Sequence, residues 1–260
     1  MREIRNVKMK GAEPFLINKK SKVGVLLLHG FTSTPYQFRE LGKYLADKGF
    51  TIYAPLTAGH GTSPEYLMHT TGADWKESVK KAYLELKEKV KKIIIVGNSF
   101  GGNLAFYLAR EFQNETLVGI VSLGTPITLR FQWLIKLRLY TYGWLKKYYR
   151  KPRSVYRIDY TDMHDEITYP VIPIKSVREF LKFIKEETIP NLKKIKTPTL
   201  IIHASVDFVV SSQSATYIHQ QLSSPYKIIH WFDSNRHVVI NDSKRHELFE
   251  RIYKFIREIV

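Results

Sequence analysis

The 260-residue chain contains no cysteine. This absence excludes disulfide bonds, thiolate zinc sites and a cysteine nucleophile together. A cysteine-free chain suits the reducing cytoplasm, where disulfides rarely persist. The first ten residues lack the apolar centre of a signal peptide, and no apolar run reaches the ~18 residues that a membrane-spanning helix needs. We therefore expect a soluble, cytoplasmic protein.

Acidic residues are scarce, because 24 Asp and Glu stand against 41 Lys and Arg and leave a formal net charge of +17. Such a charge suits nucleic acid, anionic lipid or an acidic substrate as a partner. Most lysines alternate with glutamates at helical spacing, as in DWKESVKKAYLELKEKVKK (74–92), which is typical of a solvated helix surface. The stretch 128–158 differs, since it carries nine Lys or Arg and no Asp or Glu. The charge of this stretch needs its own explanation.

Short apolar runs alternate with helical patterns along most of the chain, which has no internal repeat. The predicted strands are 23–28, 51–55, 93–96, 117–123, 198–203 and 226–231. This rhythm predicts an α/β fold, with a parallel sheet covered by helices on both faces. Residues 127–190 break the rhythm with aromatic and basic stretches and several prolines. We therefore predict a core of residues 1–126 and 191–260 and an inserted cap of residues 127–190, at the carboxyl ends of the strands, where ligands bind.

One serine lies on the sharpest predicted corner of the chain. The run KKIIIVGNSFGGNLAFYLARE (91–111) leads from a buried strand through Gly97-Asn98-Ser99-Phe100-Gly101 directly into a helix. The pattern Gly-x-Ser-x-Gly needs small residues on both sides of the serine, because larger side chains would collide with the strand and the helix. The pentapeptide alone is common, and a simple tight turn is the alternative interpretation. Its position between a strand and a helix favours a nucleophilic serine.

A serine hydroxyl is a weak nucleophile and needs a base, usually a histidine that a carboxylate orients. Asp207 follows the predicted strand 198–203, and His237 lies in the loop after the strand 226–231. The order Ser, Asp, His is the one that this architecture uses. We therefore predict Ser99, Asp207 and His237 as the catalytic residues.

Other acids and bases fit this pattern less well. Asp233 is a rival acid, but it lies too close in sequence to His237 to reach around the imidazole ring easily. His29 and His60 lie in loops that could face the site, yet both precede the serine. His203 lies within a predicted strand, which favours a packing role.

Acyl transfer also needs hydrogen-bond donors for the oxygen that becomes negative in the transition state. One donor in this type of turn is the backbone N–H after the nucleophile, which here belongs to Phe100. The second is expected from the loop after the first central strand, LLLHGFTST, where Phe31 follows His29 and Gly30. Only the N–H groups are used, so both phenylalanine rings would be free to line an apolar acyl pocket.

Several motifs together resemble one superfamily. They are LLLHGF, APLTAGHGTSPEYL, IVGNSFGGNLA, TPTLIIHASVDFVV and the loop around His237, and they occur in order across residues 20–126 and 191–260. In these motifs the chain resembles the α/β-hydrolases, and among them the small bacterial carboxylesterases and monoacylglycerol lipases. The resemblance implies an eight-stranded, mostly parallel sheet with a small inserted cap. It also implies that carboxylic esters are hydrolysed without a cofactor or a metal.

Three positions depart from the pattern of these relatives. Residues 204–206 (Ala-Ser-Val) and Arg236 stand where relatives commonly carry glycine, and Asn98 replaces an apolar residue or histidine before the serine. Arg236 either lowers the affinity of the neighbouring imidazole for a proton or points outward. These departures bear on efficiency and loop conformation more than on the reaction class.

The expected reaction is cleavage of apolar acyl esters, either short to medium chain esters or monoacylglycerols, through an acyl-enzyme intermediate. Three alternatives stay open: a thioesterase or amidase, an acyltransferase with the same residues, and a non-catalytic ligand-binding homologue. Dehalogenases and epoxide hydrolases are disfavoured, because they carry Asp at the position of Ser99.

Aromatic residues are interleaved with the basic residues of the stretch 128–158. In one interpretation they pack on the core while the charges face water. In the other, the stretch is a lid whose basic face meets anionic lipid or an acidic leaving group in a salt-sensitive contact. Its Trp133 and Trp144 would then contact the substrate together with Phe31. We expect no nucleic-acid partner, since no nucleic-acid-binding motif is present, and the oligomeric state stays open.

Overall fold

The computed structural model describes residues 8–113, 116–141, 146–151 and 167–260. The strands in these ranges are β1 (Phe15–Ile17), β2 (Val23–Leu28), β3 (Thr51–Ala54), β4 (Lys92–Asn98), β5 (Leu117–Leu123), β6 (Tyr148–Arg150), β7 (Val171–Pro173), β8 (Thr199–Ala204) and β9 (Lys227–Phe232). Seven of the described strands form the main sheet, in the order β1-β3-β2-β4-β5-β8-β9. Neighbouring strands are parallel, except that β1 runs antiparallel to β3. The predicted α/β architecture with a mostly parallel sheet is confirmed.

Helices pack on both faces of this sheet. Those in the described ranges are α1 (Arg39–Asp47), α2 (Pro64–Met68), α3 (Gly72–Lys87), α4 (Phe100–Phe112), α5 (Gln132–Thr141), α6 (Ile174–Phe183), α7 (Gln213–Gln221) and α8 (Arg245–Ile259). Helix α3 begins at Gly72, because Thr71 and Asp74 cap each other's backbone N–H groups there. Within the described ranges, every helix is too short or too polar to cross a membrane.

Strand β2 illustrates why the predicted strands are continuous apolar runs. Leu26 and Leu28 point into the core that α3 and α4 cover, whereas Val25 and Leu27 point into the core that α1 and α8 cover. A strand that is buried on both faces needs an apolar side chain at every position. The two cores fix the central strands, and the ends of these strands carry the loops with the predicted site residues.

The number of strands differs from the eight that the resemblance implied, since the described residues place seven in the main sheet. The described residues before β1 do not extend the sheet at that edge. The chain turns at Gly11, where φ is 87°, and the Met9 N–H donates to the carbonyl oxygen of Gly61 at 2.7 Å. This backbone therefore pairs with a loop instead of another strand.

Residues 127–190 lie between β5 and β8, which are neighbours in the main sheet. The described part of this segment contains α5, α6 and an antiparallel pair of short strands, β6 and β7. Phe180 and Phe183 of α6 pack into the core formed with α3 and α4. That the segment is a cap on a core of residues 1–126 and 191–260 stays a prediction.

Helix α4 crosses the end of β2 so closely that the helix residue at the crossing, Gly101, must lack a side chain. A Cβ atom at Gly101 would overlap the carbonyl oxygen of Leu28, and the neighbouring backbone of Leu28 and His29 cannot turn aside as a flexible side chain could. The helix therefore starts close against the sheet, and this close start fixes the turn that carries Ser99.

Substitution Gly101→Ala tests this packing. We expect it to lower the free energy of unfolding by about 3 kcal/mol or more, because either α4 or β2 must shift. Urea denaturation followed by circular dichroism measures the loss. The matched control is Gly49→Ala, because Gly49 has a φ of 94° and no atom within 4 Å of the added carbon. That control should cost only about 1 kcal/mol of backbone strain, and equal losses in the two variants would contradict the crossing described here.

Candidate active site

Ser99 occupies the junction between β4 and α4 in a strained conformation. Its φ and ψ are 51° and −118°, which residues with a side chain adopt only when the surrounding structure enforces it. The Ser99 N–H donates to the carbonyl oxygen of Leu123 at 2.7 Å, which ties the turn to β5. A Cβ atom at Gly97 would overlap the carbonyl group of Gly101. The tight turn predicted from Gly-x-Ser-x-Gly is therefore present.

The three residues predicted to act together meet at the carboxyl ends of the strands. The Nε2 atom of His237 lies 2.9 Å from Ser99 Oγ, and its Nδ1 atom lies 2.7 Å from Asp207 Oδ2. These residues follow β4, β8 and β9, so loops from three separate strands converge at one point. When Nδ1–H donates to the carboxylate, Nε2 is left as an acceptor for the serine hydroxyl proton.

The carboxyl group of Asp207 is buried but is held as a carboxylate. Burial on its own would raise the pKa of Asp207, but the hydrogen bond and charge of His237 together with the N–H groups of Val210 and Val209 outweigh it, so the pKa is lowered. The Val209 N–H donates to Oδ1 at 2.7 Å, and the Val210 N–H donates to it at 2.9 Å. Oδ1 is therefore occupied by the backbone, and Oδ2 is directed at the imidazole.

His203 lies next to the same carboxylate without bonding to it. Its Nε2 atom is 3.7 Å from Asp207 Oδ2 and has no hydrogen-bond partner in the described part of the chain. Burial lowers the pKa of His203 in spite of the opposing effect of Asp207. Because the His203 imidazole is neutral at this distance, the hydrogen bond of Asp207 Oδ2 is made with His237.

The other rival residues lie in different environments. Asp233 is exposed and pairs with Lys244 at 2.6 Å. Burial lowers the pKa of His29 to about 4 and that of His60 to about 3, so both rings are neutral near pH 7. The His29 ring holds two loops together, because its Nε2 accepts from the Thr57 N–H at 3.1 Å and its Nδ1 donates to the Gly30 carbonyl at 3.0 Å.

The two predicted oxyanion donors come from different parts of the chain, one before β4 and one directly after Ser99. Phe31 follows β2, and Phe100 is the first residue of α4. Neither N–H donates a hydrogen bond to another described residue. Both N–H groups thus lack a partner among the described residues, as an oxyanion donor must before substrate binds, and Phe31 also lines the cavity beside Ser99.

The rings of these two residues have different environments. The Phe100 ring is buried against Trp75 at a centroid distance of 5.0 Å and belongs to the core. The expectation that it lines an acyl pocket is wrong, because the start of α4 directs it under the turn. The Phe31 ring lines the cavity beside Ser99 and stacks on Phe180 at 5.1 Å.

Ser99 and His237 line a cavity of about 410 Å³. Much of its wall is apolar and comes from the 127–190 segment and the loop after β8. The apolar lining residues there are Leu129, Phe131, Leu134, Ile135, Leu139, Ile167, Ile172, Ile174, Val177, Phe180, Phe208, Val209 and Val210. Asn98, the unusual residue before the serine, also lines the cavity with a buried side chain.

The helix residues that line the cavity are not the ones that the sequence suggested. Trp133 is 66% exposed and does not line the cavity, whereas its neighbours Leu134 and Ile135 do. Helical periodicity places Trp133 on the outer side of α5 with Leu137 and Tyr140, both exposed. Trp144 lies outside the described residues.

Sequence reasoning missed the contribution of α6 to the cavity. Ile174, Val177 and Phe180 line it and recur every three residues along this helix. That spacing marks one side of a helix and could have been read from the sequence.

Arg236, the residue before His237 that departs from the pattern of the relatives, donates from its Nη1 atom to the carbonyl oxygen of Asn241 at 3.3 Å.

Groups of three or more His, Cys, Asp or Glu that could hold a metal ion do not occur among the residues that the structure describes.

The sheet order, the strained serine turn and the acid and base loops after β8 and β9 define the α/β-hydrolase class. The chain belongs to the serine aminopeptidase S33 family, whose sequence pattern matches residues 19–244. It is a hydrolase with carboxylesterases and monoacylglycerol lipases among its relatives.

Two curated relatives span nearly the whole chain. A carboxylesterase of Bacillus subtilis (strain 168) is 28% identical over 250 residues, which cover 95% of this chain and 97% of the relative. A thermostable monoacylglycerol lipase of Bacillus sp. (strain H-257) is 32% identical over 247 residues, which cover 95% of each. A solved structure from work on two metagenome-derived lipolytic enzymes, LipS and LipT, is 27% identical with a TM-score of 0.87, over 97% of this chain and 100% of that one.

Substitution Asp207→Asn tests the arrangement of acid, base and serine. The asparagine keeps the shape but loses the charge that holds Nδ1–H on the imidazole, so we expect Ser99 to react about 10³- to 10⁴-fold more slowly with a fluorophosphonate probe. Time courses of probe labelling measure the rate. Asp233→Asn is the matched control, because the exposed Asp233 pairs with Lys244 on the surface, and its labelling should equal that of the protein without substitutions. Slow labelling of the control with normal labelling of Asp207→Asn would assign the acid to Asp233.

Proposed function

We propose that this protein is a serine carboxylester hydrolase that cleaves apolar acyl esters, either short to medium chain esters or monoacylglycerols. One observation carries the proposal: hydrogen bonds of 2.7 and 2.9 Å link Asp207 through His237 to Ser99 at the wall of a largely apolar cavity. Family membership and the names of the relatives support the same reaction.

In the proposed first half-reaction, Ser99 Oγ attacks the ester carbonyl carbon while His237 Nε2 takes the hydroxyl proton. The carbonyl oxygen becomes negative and accepts hydrogen bonds from the N–H groups of Phe31 and Phe100. Asp207 stabilises the imidazolium and keeps its Nδ1–H in place. The C–O bond to the alcohol then breaks, and the alcohol leaves with the proton from Nε2. An acyl group remains on Ser99.

In the second half-reaction a water molecule takes the place of the alcohol. His237 removes one of its protons as the oxygen attacks the acyl carbon, and the same two N–H groups hold the new negative oxygen. When the bond to Ser99 Oγ breaks, His237 returns the proton to the serine and the acid leaves. The enzyme is regenerated without any cofactor in this scheme.

The cavity supports an apolar acyl group as the part of the substrate that is buried. Aliphatic side chains dominate its wall between Ser99 and α5 and α6, and burial of each substrate CH₂ there is worth about 0.8 kcal/mol. A volume of about 410 Å³ is in the range of sites for small ligands. This size favours short to medium chains or a monoacylglycerol over esters with several long chains.

The same residues would also serve a thioesterase, an amidase or an acyltransferase. The family name, which refers to an aminopeptidase, makes the amidase the alternative with a specific observation behind it. A non-catalytic ligand-binding protein is the alternative from another class. Parallel assays with p-nitrophenyl esters, a thioester and an aminoacyl p-nitroanilide separate these possibilities.

Substitution Ser99→Ala is the direct test of the proposed reaction. Without the nucleophile, we expect kcat for p-nitrophenyl butyrate to fall by about 10⁴-fold or more, while circular dichroism stays that of the unchanged protein. Release of p-nitrophenol from esters of increasing acyl length should then define the chain that the cavity accepts. A Ser99→Ala variant that still hydrolyses these esters would refute the proposal. If the protein without substitutions shows neither ester hydrolysis nor probe labelling, a ligand-binding protein is favoured.

We also propose that the 127–190 segment is a cap and that it contacts anionic lipid. Residues Trp133, Leu137 and Tyr140 expose large apolar side chains on the outer side of α5. Basic residues surround them in the sequence, and the stretch 128–158 carries no acidic residue. An exposed apolar stripe among cations is the pattern of a surface that lies on anionic membranes.

Lipid contact is tested with vesicles that contain phosphatidylserine. We expect binding at about 0.05 M salt and an affinity at least tenfold lower at about 0.5 M, because salt screens the attraction of the cations. Sedimentation with the vesicles measures the bound fraction. Trp133→Ala should weaken binding, whereas Trp231→Ala should not, since Trp231 is also exposed but lies on β9. Binding that is absent at low salt or insensitive to salt would remove this proposal.

A further inference from the structure

The Phe31 N–H belongs to a tight turn that contains an unfavourable residue. The turn runs from Gly30 to Ser33 and is closed by a hydrogen bond of 3.1 Å from the Ser33 N–H to the Gly30 carbonyl. Thr32, at its third position, has a φ of 64°. Turns with positive φ at this position normally carry glycine or asparagine there, and a β-branched residue in this region is strained. Other contacts must therefore hold the turn.

Two donors from the 127–190 segment hold the carbonyl oxygen of Thr32. The hydroxyl of Thr168 donates to it at 2.9 Å, and the Tyr169 N–H donates to it at 3.1 Å. A carbonyl oxygen accepts two hydrogen bonds in this way. Both of its lone pairs are thereby used, and the peptide after Thr32 is fixed in orientation by residues about 135 positions away in the chain.

The hydroxyl of Thr168 is directed toward Thr32 by a third residue. Lys151 Nζ donates to Thr168 Oγ1 at 2.9 Å. Burial lowers the pKa of Lys151 to about 7, but both its charged and its neutral forms can donate. Because the Thr168 oxygen accepts from Lys151, its own hydrogen is left for the Thr32 carbonyl.

Tyr169 is itself fixed to the core. Its side chain is buried, and its hydroxyl donates to the Gly59 carbonyl at 2.9 Å while it accepts from the Thr62 N–H at 2.8 Å. The donors to Thr32 therefore cannot shift without breaking buried hydrogen bonds. The Phe31 ring, stacked on Phe180 of α6, adds a second contact between the same turn and the 127–190 segment.

We propose that Thr168 and Tyr169 are positioning residues, which orient the Phe31 N–H toward the negative oxygen of the transition state by holding the Thr32 carbonyl. The inference rests on the proposed function, in which this N–H is an oxyanion donor. The turn contains a strained residue, so its N–H keeps its direction only while the 127–190 segment is docked. The segment therefore affects the rate of the chemical step through this turn and does not merely cover the substrate.

Substitution Thr168→Val removes the hydroxyl at nearly constant shape. We expect kcat for p-nitrophenyl butyrate to fall roughly 10- to 100-fold, because a donor displaced from the oxyanion loses much of its effect, while KM changes much less. Thr168→Ser, which keeps the donor, should restore kcat. The matched control is Ser176→Ala, which removes a hydrogen bond of 3.1 Å between the same segment and the Leu67 carbonyl but leaves the turn untouched. Its kcat should be unchanged.

A double-mutant cycle with Thr32→Gly tests the role of strain. Glycine adopts the positive φ without cost, so the loss of kcat caused by Thr168→Val should be smaller in the Thr32→Gly background. If circular dichroism shows that Thr168→Val folds poorly alone, Thr168→Ala, which also removes the hydroxyl, takes its place in the cycle.

The outcomes separate this inference from the proposed function. If the protein without substitutions neither hydrolyses esters nor reacts with a fluorophosphonate, the proposed function itself is refuted. If that protein is active, three results would each overturn only the positioning role: Thr168→Val keeps its kcat, Ser176→Ala loses as much kcat as Thr168→Val, or the loss caused by Thr168→Val is the same with glycine at position 32. A selective loss of kcat that serine rescues and glycine at position 32 lessens is the expected result.

Discussion

The steric contact between the start of α4 and the strands beneath it is the constraint on which the site depends. Side chains at Gly97 and Gly101 would overlap backbone atoms, and one at Gly102 would overlap the Thr125 side chain. Since α4 can begin this close to the sheet only without those side chains, the chain between β4 and α4 has little freedom. The residue in the middle, Ser99, is forced to a positive φ and reaches the cavity.

Electrostatics then decide what the serine can do. The buried carboxylate of Asp207 would take up a proton in an apolar environment, yet two backbone N–H groups and His237 keep its pKa low. The backbone after β8 thus stabilises the charge, and that charge in turn selects the tautomer of the imidazole. Nearby His203 stays neutral, because its burial is not offset by hydrogen bonds of comparable strength.

The core of the fold was predictable, because strands buried on both faces leave continuous apolar runs. The meeting of Ser99, Asp207 and His237 was predictable as well, since carboxyl ends of parallel strands share one edge of the sheet. The residues of the cavity wall were not predictable. Helix α5 is apolar on its cavity side at Leu134 and on its outer side at Trp133, so its periodicity does not reveal which side faces the substrate. The burial of the Phe100 ring depends on the packing of α4, which no local pattern records.

The three loops that meet at the cavity also differ in when the ribosome makes them. The turn with Ser99 is held by β2, β4, α4 and β5, all of which precede residue 124, whereas Asp207 and His237 follow β8 and β9. A nascent chain therefore carries the serine long before it carries the acid and the base. In the proposed mechanism the serine needs both residues, so a chain that has not yet reached residue 237 lacks the base that would take the Ser99 hydroxyl proton.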